Sequence, residues 1–154
     1  MSIEITNTLE DIIAQWKATE EQHAKEHAWY KRVKELCTSE TIALKRTPPA
    51  GESKIDHYNN IITEAYDRAI SIGATYFIVA ANWFPIFCFA KDFERNFDIA
   101  MYGSYTAGTY KGLPIIVSPY LDSFEMICGA ESDMPTYDIE NIDTNKFILL
   151  KLED

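Results

Sequence analysis

The chain has 154 residues, 47% of them hydrophobic and 25% charged, a composition that can bury one substantial core and that excludes a disordered tail. Its 14 Lys and Arg against 24 Asp and Glu leave a formal charge of -10, which repels phosphate backbones and anionic membranes, so no specific nucleic acid and no membrane is expected as a partner. The longest apolar run, Tyr76 to Ala90, is interrupted by Asn82 and Pro85 and falls short of the roughly 18 residues a membrane helix needs. Met1-Ser2-Ile3-Glu4 also lacks the basic start of a secretion signal,.

In chain order, Asn7 and Glu10 have the spacing of a capping box and predict the start of a long helix,. Leu9, Ile12, Ile13, Trp16, His23, His27, Tyr30 and Val33 recur at three- and four-residue steps to about Leu36, one stripe of a single helix. Its middle, Thr19-Glu20-Glu21-Gln22, is polar, so the helix is expected to pack at its two ends or against another chain. The run Thr47-Pro48-Pro49-Ala50-Gly51-Glu52 ends any helix, because proline removes donors and glycine adds backbone freedom. The predicted organisation is an N-terminal helical segment over 1–45, a linker over 46–53 and an α+β domain over 54–154.

Within that domain a second helix is predicted from about Asp56, with Tyr58, Ile61, Ile62, Ala65, Ala69 and Ile72 on one face and Gly73 ending it,. Tyr76 to Ala80 reads as a buried strand, and Asn82 as the cap of a short helix carrying Pro85 in its first turn,. Strands are expected at Ile99–Tyr102, Ile115–Val117, Phe124–Cys128 and Phe147–Leu152, a turn at Gly108–Gly112, and a loop from Asp133 to Asn145,. The fold class is α+β, a central sheet flanked by helices with a long N-terminal helix.

One constellation has the form of a catalytic site. His23-Ala24-Lys25-Glu26-His27 matches H-x-x-E-H, in which two histidines one helical turn apart bind zinc and the glutamate activates water. Zinc would need a third ligand, and Glu64 is a candidate by position only. Three fixed positions in a helix rich in Glu and Lys arise readily by chance, so two partly exposed histidines on an amphipathic stripe outweigh a zinc hydrolase. No catalytic, metal or cofactor residue is therefore assigned.

The other reactive side chains read as structural. His57 beside Asp56 is taken as part of a helix-start cap, since adjacent helical residues point apart,. Cys88 between Phe87 and Phe89, and Cys128 before Gly129, read as buried thiols without basic neighbours,. Three cysteines including Cys37, odd in number and widely spaced, fit an intracellular, reducing site of synthesis,. Gly103, Gly108 and Gly112 are too scattered to cradle a phosphate, and Tyr102, Tyr105, Tyr110 and Tyr120 with Lys111 suit a core or protein interface better than a stacking surface for bases,.

The segment Ala107-Gly108-Thr109-Tyr110-Lys111-Gly112-Leu113-Pro114-Ile115-Ile116-Val117-Ser118-Pro119-Tyr120-Leu121, followed by Phe124-Glu125-Met126-Ile127-Cys128-Gly129, resembles the tailed-phage major capsid proteins. The helix at Ile61–Ile72, the strand Tyr76-Phe77-Ile78-Val79-Ala80-Ala81-Asn82 and the short helix after it are similar in order, so the resemblance spans about residues 59–130. It implies the axial domain of the capsid fold, the part that gathers around capsomer centres, and with it a non-enzymatic structural subunit. The implied partners are copies of itself or other virion proteins, in a virion made in the host cytoplasm. The chain is shorter than that family's usual members, which leaves a reduced relative, a fragment or a re-used domain as alternatives. A zinc hydrolase, and an adaptor that binds another protein through the N-terminal helix, are the competing functions.

Overall fold

The computed structural model describes residues 2–98, 104–132 and 134–154. The strand expected at Ile99–Tyr102 and the residue Gly103 lie outside the described residues. The first element is one unbroken helix, α1, Ser2–Leu36. It begins five residues before Asn7, so the capping-box start is corrected: the backbone is already helical there.

A short strand, β1 (Thr38–Thr41), follows α1, and α2 (Lys54–Ser71) comes after the proline-rich stretch. The cap of α2 is Ser53, whose hydroxyl accepts the Asp56 amide at 3.1 Å. His57 is therefore not the cap; it is buried one turn further on. Gly73, at φ 71°, takes the left-handed conformation just past the helix end that a side chain would resist,. Next come β2 (Tyr76–Val79), a 3-10 turn at Ala81–Trp83 and α3 (Phe84–Cys88). Asn82 does not cap α3: its side-chain oxygen accepts the Phe124 amide at 2.9 Å and ties this corner to a distant loop.

The remaining strands are β3 (Phe93–Asp98), β4 (Tyr105–Tyr110), β5 (Leu113–Val117), β6 (Glu125–Gly129) and β7 (Phe147–Lys151). β3 has no counterpart among the elements expected from sequence. Gly108, expected in a turn, lies inside β4 at a register shift, and the turn itself is Lys111-Gly112. The expected loop before β7 contains two 3-10 turns, Ile139–Asn141 and Thr144–Lys146.

The seven strands of the described residues form one mixed sheet in the order β1-β7-β6-β2-β5-β4-β3. β2 runs parallel to β5 and β1 parallel to β7, and the other pairings are antiparallel. The chain is thus α+β, with a mixed seven-stranded sheet and a long N-terminal helix. Residues 38–41, placed by sequence in the N-terminal helical segment, join the same sheet as residues 147–151.

Residues opposed across neighbouring strands share a face. Tyr76, Gly129 and Phe147 are opposed in register, as are Phe77, Cys128 and Ile148. Trp29 of α1 meets Phe147 edge-on at 5.6 Å, whereas Phe87 of α3 meets Phe77 at 6.4 Å. α1 therefore covers one face and α3 the other, where Phe87 also contacts Tyr110, itself against Tyr66 of α2. Gly129 is fixed by this stacking, because a Cβ there would run into the Tyr76 ring.

Candidate functional site on the first helix

The second half of α1 is held by aromatic burial. Trp29, Tyr30 and Val33 are fully buried. Trp29 packs edge-on against Tyr30 and Tyr137 at 5.0 and 5.2 Å, and Tyr30 stacks on Tyr120 at 5.5 Å. The Tyr30 hydroxyl lies 3.2 Å from the Ser104 hydroxyl and 3.4 Å from that of Tyr137. Burial pushes the Tyr30 hydroxyl well above its ordinary pKa, so it stays protonated as a member of this network,. Further along, Lys34 reaches Glu125 at 2.7 Å and Asp122 at 3.2 Å, and the same Glu125 oxygen accepts the Asp122 amide at 2.8 Å. One cation thereby clamps the helix to the corner that precedes β6.

The H-x-x-E-H residues sit just before this anchored half, and the helix turns them in different directions. His27 is exposed and stacks on Tyr120 at 5.6 Å, with His23 edge-on to the same ring at 6.4 Å. Glu26 points inward and is only 4% exposed. Burial raises its carboxyl above the ordinary value, against the opposing pull of Gln22, His23 and Ser104,. Glu64, the positional candidate for a third ligand, accepts the Ala43 amide at 2.6 Å and so serves the β1–α2 connection. Among the described residues no three His, Cys, Asp or Glu side chains gather where a metal ion could be held. The two histidines line an aromatic surface around Tyr120, and the glutamate belongs to the buried network.

The remaining candidates separate as clearly. His57 donates through Nε2 to the Lys45 carbonyl at 2.5 Å, fastening the 46–53 stretch to α2. Cys128 is fully buried and burial drives its thiol pKa up, the setting of an inert core cysteine,. Cys88 is a correction: it is exposed, and the Arg95 guanidinium donates to its sulfur at 3.3 Å, so it has a basic neighbour that lies seven residues away in sequence. Tyr110 is buried and Tyr105 and Tyr120 half-buried, while Tyr102 lies outside the described residues.

The first half of α1 carries what periodicity alone conceals. Leu9 is 64%, Ile13 43% and Trp16 66% exposed. The spacing predicts that the helix packs at its two ends or against another chain, and within this chain the first end is left largely uncovered. From Leu9 to Glu21, ahead of the His23 contact with Tyr120, no residue is buried, so this part of α1 is an arm. A second surface is equally hidden from sequence reading: Arg46 and Lys54, the cations on either side of the proline-rich stretch, border an open pocket of about 470 Å³ walled by Tyr58, Pro85, Ile86 and Phe124. The available signal is two basic residues flanking a Pro-Pro turn in an acidic chain.

Compared with protein-family models, with curated proteins and with solved structures, the chain finds no match in any of the three. No helix among the described residues is long and apolar enough to cross a membrane.

Proposed function

We propose that this chain is a non-enzymatic structural subunit that works by associating with copies of itself, in the manner of the tailed-phage major capsid proteins its central region resembles. The observation that carries the reading is the uncovered stripe Leu9, Ile13 and Trp16 on a helix whose second half is locked into the core. Apolar side chains held in a fixed row on a rigid arm form a contact surface that a lone molecule leaves in water. Copies of the chain, or other virion proteins, are the partners, and the virion is the destination.

The size of the effect follows from the stripe. Three large side chains at about 1.5–3 kcal/mol each give a gross gain that the association cost of about 4–15 kcal/mol largely cancels. A single such contact is weak, and a closed ring, in which every copy makes two, is far stronger. Assembly is accordingly expected to rise steeply with concentration.

Size-exclusion chromatography with light scattering, from micromolar to millimolar protein, tests this directly, with electron microscopy of the heaviest fraction. Discrete oligomers or rings that dissolve on dilution are the expected result. A strict monomer throughout, with no ring or particle, would sink the reading and favour an adaptor whose arm binds a different protein.

A further inference from the structure

Among the described residues, the arm and the pocket beside the proline-rich stretch are both unfilled, and their chemistry is complementary. The pocket beside the proline-rich stretch is mostly apolar, with cations at its border. The Arg46 guanidinium lies over the Phe124 ring, 4.0 Å from its centroid, and pairs with the Asp154 carboxylate at 3.1 Å. Lys54 stands 5.8 Å from the centre of the Tyr58 ring and, among the described residues, has no carboxylate at ion-pair distance. Lys34, Lys45 and Arg68 each meet an acid, whereas Lys54 is among the lysines whose ammonium is left for a partner. An apolar hollow bordered by such a lysine suits a partner that offers a bulky apolar side chain with a carboxylate about one helical turn away.

The arm offers that pair. At 100° per residue, Leu9, Ile12, Ile13 and Trp16 share one stripe, and Glu20, four residues beyond Trp16, continues it,. Glu20 is exposed. We infer that the arm of one copy seats Trp16 in this pocket of the next copy, with Glu20 against Lys54. The inference rests on the self-association proposed above and names the surfaces that meet. An arm cannot fill its own pocket: α1 is unbroken and packs on the face of the sheet opposite α3, which supplies Pro85 and Ile86 to the pocket wall. The contact joins two different surfaces, so it propagates head to tail and either closes into a ring or continues as a filament.

Sedimentation velocity on the full chain separates the possibilities, using Trp16→Ala to disable the arm and Lys54→Glu or Pro85→Glu to disable the pocket. Both pocket positions are exposed and in the first turn of their helices, where glutamate is tolerated,; circular dichroism checks that each variant folds. Every single variant should associate at least tenfold more weakly than the parent. An equimolar mixture of Trp16→Ala with Pro85→Glu should give discrete heterodimers and nothing larger, because one intact arm and one intact pocket remain. Glu20→Lys introduced together with Lys54→Glu should restore assembly. Pocket variants that assemble like the parent overturn the inference and leave self-association standing, through arms that pair with each other. A parent chain that stays monomeric throughout overturns both.

Discussion

The two halves of α1 share one helix and one spacing of apolar residues, yet they meet opposite surroundings. In the second half Trp29, Tyr30 and Val33 are fully buried, with Trp29 against aromatic rings from the sheet and the 130s loop. In the first, Leu9 and Trp16 are each about two-thirds exposed at 64% and 66%. Periodicity states which side chains share a side of a helix; only the length of the covering sheet decides which of them are buried. The anchored half contributes stability, and the arm is the surface proposed above for contacts between molecules.

That division can be broken or sharpened by substitution. The largest effect is expected for Trp29→Ala, which empties a fully buried site and should cost about 3–5 kcal/mol in urea unfolding. A cost below about 1 kcal/mol would mean that the second half is not anchored as described. Gly129→Ala should cost about 1–3 kcal/mol by forcing a methyl group into the Tyr76 ring,. A methyl group tolerated at no cost would show that the rings beneath α1 can yield.

Glu26→Gln should act in the other direction and with a pH dependence. Burial holds the Glu26 carboxyl above its ordinary value of 4.5, so the folded chain binds this proton more tightly than the unfolded one. The stability it confers is complete below pH 4.5 and is lost as pH rises through the folded value. The glutamine variant should therefore be more stable than the parent at pH 7, with the difference fading near pH 4; thermal melts at the two pH values measure it. A difference that does not change with pH would place Glu26 in water. The smallest effect on folding belongs to Trp16→Ala, within about 0.5 kcal/mol of the parent, although the same change should strongly weaken assembly. Substantial destabilisation of the dilute monomer would show that the arm packs on its own chain.

Much of the fold was legible in the residues. The long helix and α2 carry helical apolar spacing, and β2, β5, β6 and β7 are short runs dense in β-branched, aromatic and other apolar residues; Ile61, Ile62, Ala65, Ala69 and Tyr76 to Val79 are buried,. β1 was illegible because Thr38-Ser39-Glu40-Thr41 has no apolar alternation; its place at the edge comes from pairing with β7. β3 is illegible for a similar reason, since Glu94, Arg95 and Asn96 are polar and exposed. The candidate sites were less legible. The H-x-x-E-H match is visible, but the inward setting of Glu26 involves Ser104, remote in sequence. The pocket depends on Phe124 and Pro85 meeting the 46–48 segment, which no local pattern records. Cys88 between two phenylalanines reads as buried, yet Phe89 is itself exposed, so the flanking rings do not mark a core position.

The position of β7 has a consequence for timing. It lies between β1 and β6, although the ribosome makes β1 first of the seven strands and β7 last. During translation β1 has no neighbour to pair with, and the nascent chain cannot complete the sheet until Phe147–Lys151 has emerged. Protease protection of residues 38–41 should accordingly be absent from ribosome-stalled chains that end before Phe147 and appear in chains long enough for Phe147–Lys151 to have left the ribosome. On the self-association proposed above, a nascent chain without β7 lacks the Phe147 ring that Trp29 packs against, and so cannot yet hold its arm in place.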